Sequence, residues 1–256
     1  MSEFCTVSQQ GSVTVITINR PAVMNSLHPP ANFELESAVQ AFEADAHARV
    51  AIFTGAGEKA FSAGNDLKYT AAGNKLEVPK TGFGGMTSNF SRKKPIIAAV
   101  NGVALGGGFE IALACDLIIA SENAIFGLPE PKVGLAALAG GLNRLPRQIG
   151  LKNALGMILT GRHVSAAEGK SLGFVNEVVE VGGALNAALE WANTIASNSP
   201  QSIRTSLDVV KRSLNFANLE ESIEAHYDSV DELRSSADAV EGPLAFAEKR
   251  KPKWSV

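Results

Sequence analysis

Apolar residues along this chain follow two periods that alternate as far as residue 180 and then reduce to one. Between Val7 and Asn19 lie two short strand-like runs, the second of which, SVTVITIN, alternates β-branched positions and stops at the Arg20-Pro21 break. From Ala31 to Phe42, Leu35, Ala38, Val39 and Phe42 recur at helical spacing and predict a packed helix. RVAIFT, residues 49–54, reads as a buried strand and runs into GAGEKAFSAGNDLKY. A central stretch, Pro95 to Gly134, whose residues 95–120 are the longest oily run, opens with the β-branched IIAAV and turns through Gly106-Gly107-Gly108. Two helices, Leu138–Ile149 and Leu151–Leu159, are predicted to join at Gly150, and a short strand, FVNEVV, follows the turn at Gly173.

The character changes near Pro200. Ile203, Leu207, Val210 and Leu214 mark one amphipathic face, and Leu219, Ile223, Tyr227 and Val230 another; Asp238 and Glu241 are placed to cap a last helix. The pattern predicts an α/β body over 1–199 and a helical C-terminal subdomain over 200–256, too small to fold alone and packed on the body or on a neighbouring subunit. Residues 72–90, rich in Gly, Lys and Thr, suit a mobile surface loop or one wall of a pocket.

Composition narrows the classes. With 45% apolar and 19% charged residues and a net charge of −3, neither nucleic acid nor an anionic membrane is an expected partner. Asn101, Glu110 and Asp116 interrupt the oily stretch, and the first residues lack the basic and apolar regions of a secretory signal, so a soluble cytoplasmic protein is expected. Cys5 and Cys115 have no metal-ligand spacing, and neither a metal nor a disulfide is expected.

Three familiar motifs fail. Gly55, Gly57 and Ala60 satisfy a loose dinucleotide fingerprint, but another extended segment follows where a helix must open. No Walker lysine follows either, and Ala60 stands where a nucleophile elbow around Ser62 needs glycine. His28, His47, His163 and His226 form no motif and read as surface or helix residues.

Candidate chemistry lies in the central stretch. Gly107 and Gly108 would open a helix whose first N–H groups lack internal partners, and the Ala63 N–H in the AFSAGND turn is a second donor; two such amides would make an oxyanion hole. Glu110 sits among apolar neighbours in GGGFEIALAC, and Glu130 lies between Pro129 and Pro131. Buried together, such carboxylates acquire raised pKa values suited to proton transfer. Singly, Glu110 also fits a helix-start charge, Glu130 a solvated turn, and the glycines tight packing corners.

In their order and spacing, KAFSAGNDL, IIAAVNGVALGGGFEIALACDLIIA and AIFGLPEPKVGL closely resemble the crotonase superfamily, the enoyl-CoA hydratase/isomerase family. Likeness extends from ITINRPAVMNSL to PLAFAEKRKP, and FSAGNDLK, TGFGGMT and VEGPLAFAEKRKP resemble the carnitinyl-CoA dehydratase group. The resemblance implies a crotonase-like spiral of ββα units with a helical C-terminal trimerisation region, assembled as a homotrimer or hexamer. It implies Ala63 and Gly107 as the amides that bind a thioester carbonyl, Gly64, Asn65 and Asp66 as a CoA-binding turn, and Glu110 and Glu130 as catalytic. Phe246 and Lys249 match tail positions that approach the CoA of an adjacent subunit. The implied activity is hydration of a 2-enoyl-CoA, with carnitinyl-CoA dehydration, double-bond isomerisation or simple CoA-ester binding as alternatives. Coenzyme A belongs to the substrate, and no separate cofactor is expected. Departures from the family pattern are the apolar LAALAGG after Glu130 and Asn65, where the carnitinyl group has a bulky aromatic residue.

Overall fold

A computed structural model describes residues 3–255. The chain opens as a hairpin, Cys5–Gln10 (β1) against Val13–Ile18 (β2), and continues through the helix Pro29–Ala44 (α1). Three passes along one route follow, each a strand in a first sheet, a short strand in a second, and a helical segment. Val50–Gly55 (β3) leads to Ala60–Ser62 (β4) and Leu67–Ala71 (α2). Ile96–Val100 (β5) leads to Val103–Leu105 (β6) and Gly107–Ala114 (α3). Leu117–Ser121 (β7) leads to Ile125–Gly127 (β8), a 3-10 turn at Glu130–Val133, and the helices Gly141–Ile149 (α4) and Leu151–Thr160 (α5). His163–Ser165 (β9), Ala166–Leu172 (α6), Glu177–Val179 (β10) and Ala184–Ala196 (α7) complete the body.

Repetition of that route builds two stacked sets of strands. The six-stranded sheet has the order β1-β2-β3-β5-β7-β10, parallel except at the β1–β2 edge, and the four-stranded sheet has the order β4-β6-β8-β9, antiparallel only between β8 and β9. Continuous apolar runs are what a parallel strand covered on both faces requires, and every residue of β3 and β5 is buried. One face packs with α1 and α3 around Phe53, Phe61, Phe109 and Phe126. The other carries α7, whose Ala184, Ala188, Ala192 and Ala196 recur every fourth residue and bring the helix close to Val13, Val50, Ile52 and Ile97. A larger side chain has no room there. Ala192→Leu is expected to cost about 1–3 kcal/mol of stability by overpacking, read by urea denaturation.

Within residues 72–90 the first part, 72–78, is an exposed loop as expected, whereas the second departs from the mobile-loop expectation. Residues 83–87 are buried, because Gly84 N–H donates to Asn32 Oδ1 of α1 (2.7 Å) and Thr81 Oγ1 to Glu36 (2.7 Å). Here glycine provides closeness. A Cβ on Gly84 would stand 2.5 Å from Ile111, and one on Gly85 would strike the backbone of Glu36.

From Pro200 the chain is helical: Pro200–Ser213 (α8), Leu219–Glu224 (α9), Asp228–Ser235 (α10) and Ala237–Ala247 (α11). Ser236 caps α11, accepting the Ala239 N–H, in place of the expected Asp238 or Glu241. Asp238 instead accepts from Ser199 Oγ and Ser255 N, and Glu241 pairs with Arg250. Val210, Leu214, Leu219 and Ile223 remain exposed. No helix among the described residues is long and apolar enough to cross a membrane.

Candidate active site

The three central glycines each leave room for a different neighbour. Gly106 adopts φ 53°, and a Cβ on it would stand 3.1 Å from Glu130 Oε1. A Cβ on Gly107 would enter the ring of Phe83, and one on Gly108 would strike the carbonyl of Ser62. Backbone from α3, the loop at 83 and the end of β4 therefore meets at one point, with the N-terminus of α3 directed into it. Gly107, the first residue of that helix, has an N–H with no acceptor among the described residues.

The opposing turn corrects one expectation. Ala63 N–H is consumed inside the fold, donating to Met24 O at 2.9 Å, and cannot also serve a ligand. Met24 and Asn25 both hold left-handed backbone (φ 55° and 53°), and the Asn25 side chain ties Arg20 N, Ala56 O and Ala60 O together, which fixes Met24 O beneath Ala63. Two residues on, Asn65 N–H has no acceptor among the described residues, although its neighbours bond both ways to Leu27. Gly64 between them (φ 86°) brings this turn against α3, since a Cβ there would lie 2.7 Å from Gly107 N and 2.7 Å from Leu105 O. Both contacts are to backbone, which cannot swing aside. Gly64→Ala is therefore expected to lower kcat/KM at least about 10²-fold, the scale of one lost oxyanion donor, with the far-UV circular dichroism unchanged.

Asp66 acts within the turn. Its carboxylate pairs with Arg20 Nη1 (3.0 Å) and accepts Tyr69 N–H at the start of α2. Burial acts upward on its pKa, but the Tyr69 N–H and Arg20 outweigh it and hold Asp66 below the usual carboxylate range. His28 was not singled out by its sequence context. It is buried edge-on to Phe4 and Tyr69, its Nδ1 unpartnered, and burial lowers its pKa, with nearby Arg20 adding to the effect.

Both glutamates reach the same place. Glu110, in the first turn of α3, is 3% exposed and accepts the Gly141 N–H at Oε1 (2.8 Å). Burial pushes its pKa up to about 7, the Gly141 N–H opposes the rise, and the neighbouring Glu130 adds to it. Glu130 projects from its 3-10 turn toward Gly106, and its Oε2 is buried without a hydrogen-bond partner. Burial raises its pKa too. Two carboxyls whose burial raises their pKa, beside two unspent amides, are equipped to exchange protons with a molecule whose carbonyl sits on those amides.

Arg144 of α4 donates to Thr87 O (2.7 Å), and its charge favours the carboxylate form of Glu110. Phe246, 87% exposed, and Lys249, also exposed, stand at the end of α11; no hydrogen bond, ion pair or ring contact among the described residues joins their side chains to the site.

Comparison with known proteins agrees with this geometry. The enoyl-CoA hydratase/isomerase family model matches residues 8–256. The chain is 42% identical to a carnitinyl-CoA dehydratase of Escherichia coli, with 99% of each covered. It is similar to the crystal structure of an enoyl-CoA hydratase of Mycobacterium marinum (TM-score 0.92, 40% identity, 98% of each chain). A carnitinyl-CoA hydratase of Mycobacterium avium also aligns (TM-score 0.79, 41% identity, 98% of each chain). The fold, the paired glutamates and these likenesses over nearly the whole length agree: the chain belongs to the enoyl-CoA hydratase/isomerase family, within the crotonase superfamily.

Proposed function

We propose that this protein adds water reversibly across the 2,3 double bond of a 2-enoyl-CoA thioester. The observation that carries the reading is the convergence of Glu110 and Glu130 on two backbone N–H groups, of Asn65 and Gly107, that have no acceptor among the described residues. In this reading the thioester oxygen accepts both amides, and the N-terminal dipole of α3 favours the negative charge that develops there. Water loses a proton to Glu110 as its oxygen bonds to C3. Electron density moves onto the thioester oxygen, and the enolate then collapses as Glu130 delivers a proton to C2. Passage of the proton from Glu110 back to Glu130 restores the pair, which titrates as one coupled unit. The CoA portion extends from the 62–66 turn into the adjacent groove lined by Pro21, Met24, Asn25 and residues 56–60. No cofactor beyond the CoA of the substrate is invoked.

Incubation with crotonyl-CoA, followed through loss of the absorbance of the conjugated thioester, tests the proposal. Formation of 3-hydroxybutyryl-CoA supports it; binding of the ester without turnover would leave a CoA-ester binding protein in its place. Relatives named for carnitinyl-CoA favour a second reading, in which the same groups run in reverse on a 3-hydroxyacyl ester bearing a γ-trimethylammonium group.

Self-association belongs to the proposal as well. Val210, Leu214, Leu219, Ile223 and Phe246 leave the C-terminal helices with apolar surface uncovered in one chain, which supports a trimer or a pair of trimers. Sedimentation velocity would report it, and a monomer at micromolar concentration would remove that part of the proposal.

A further inference from the structure

The connection from Glu130 to Gly141 is tied to both glutamates. At one end Leu135 N–H donates to the carbonyl of Glu130 (3.0 Å), and at the other Gly141 N–H donates to the Glu110 carboxylate (2.8 Å). Between them, LAALAGG has no polar side chain. Ala137 turns inward, 2% exposed, with its Cβ 3.0 Å from where a Cβ on Gly141 would stand. Leu135 and Leu138 turn outward, 52% and 80% exposed, in a segment whose ends hold the groups that would transfer protons.

Two cations border this segment. The Arg144 guanidinium lies against Gly140, and Lys132 runs along Gly161. The nearest carboxyls in sequence and space, Glu110 and Glu130, are turned away from the two leucines, Glu110 onto the Gly141 N–H and Glu130 toward Gly106. A quaternary ammonium makes no hydrogen bond and is recognised by carboxylates or by several aromatic faces together. Phe90, the exposed ring in this region, already has the Arg144 guanidinium 5.9 Å from its centroid. A trimethylammonium group placed against the two leucines would lose water and meet another cation, whereas an alkyl group would lose only unfavourable hydration.

We propose that Leu135 and Leu138 form the wall on which the acyl chain lies, so that the site selects uncharged alkyl 2-enoyl-CoA esters over γ-trimethylammonium esters of the carnitinyl type. The inference rests on the hydratase reading for the identity of the site, and it separates this chain in substrate from relatives that it matches at 42% identity.

Two esters of the same shape isolate the charge: 5,5-dimethyl-2-hexenoyl-CoA and 4-trimethylammonio-2-butenoyl-CoA, which differ by carbon for nitrogen. Dissociation constants of their saturated analogues, measured by calorimetry on the intact protein, report the preference whether or not the protein turns over crotonyl-CoA. Failure of the hydratase reading would therefore show in the rate and leave the binding ratio readable. The parent is expected to bind the neutral ester at least about tenfold more tightly, since a cation desolvated without a partner costs more than that. Leu138→Asp is expected to shrink or reverse the ratio, while Leu138→Asn, similar in size and uncharged, keeps the neutral ester ahead. Equal binding, or preference for the ammonium ester by the parent, would overturn the proposal. So would a Leu138→Asp variant that changes the sedimentation coefficient and leaves the ratio alone, because Leu138 would then be covered by a second copy of the chain.

Discussion

Glu130→Gln is expected to lower the rate of crotonyl-CoA hydration by about 10³–10⁴-fold, the contribution of a positioned proton donor, with affinity for the CoA ester nearly unchanged. The amide keeps the shape that fits beside Gly106, where Glu130 Oε1 lies 3.1 Å from the position of a Cβ. What it removes is the proton carried by a buried carboxyl whose second oxygen, Oε2, has no partner in the fold. An orphaned acceptor of that kind is costly to maintain and is explained by a substrate atom that meets it. Single-turnover kinetics with the protein in excess over the ester separates binding from chemistry; a variant hydrating at the parent rate would sink the assignment.

The second expectation has opposite signs in stability and activity. Burial moves the Glu110 midpoint from 4.5 in the unfolded chain to about 7 in the fold. Below pH 4.5 the carboxyl is protonated in both states and has no linkage effect on stability. As pH rises, the unfolded chain releases the proton first, and the fold loses stability progressively until about pH 7, where the cost levels off near about 3 kcal/mol. Glu110→Gln cannot ionise, and its side-chain oxygen can still accept the Gly141 N–H. The variant should be as stable as the parent at pH 4.5 and more stable by up to about 3 kcal/mol at pH 8, while hydration falls by about 10³-fold. Urea denaturation at both pH values measures the gap, and a difference independent of pH would count against a carboxyl held near neutral. Such a residue is retained for chemistry at the expense of the fold.

The sequence made the glutamates visible because a carboxylate among GGGF and IALA has no ordinary structural reason to be there. Gly106 to Gly108 were legible as a turn, though that each glycine admits a different neighbour depends on contacts far along the chain. In AFSAGND the amide left without an acceptor among the described residues is that of Asn65, two residues beyond the expected Ala63. Spacing cannot tell which of several amides in a turn is already bonded, and the acceptor that consumes Ala63 N–H is Met24 O, thirty-nine residues earlier. TGFGGMT read as mobile because glycine is associated with freedom, whereas Gly84 and Gly85 serve there as points of contact with Ile111 and Glu36. Asp238 looked like a cap because it opens a helix, but its carboxylate reaches Ser199 and Ser255, a pairing no local pattern encodes.

The threefold route between the sheets also acts as a ruler. β4, β6 and β8 lie side by side, and at equivalent corners just beyond their ends stand Asn65, Gly107 and Glu130. Neighbouring strands are about 4.8 Å apart, so in the proposed reaction two adjacent corners would bracket the thioester oxygen and the third would fall one strand further along, beside the carbons next to it. In that reading strand pairing sets the distance between charge stabilisation and proton transfer. Lengthening one corner by a residue would shift one chemical role against the other two, which makes insertions after Ser62, Leu105 or Gly127 a direct way to detune each step separately.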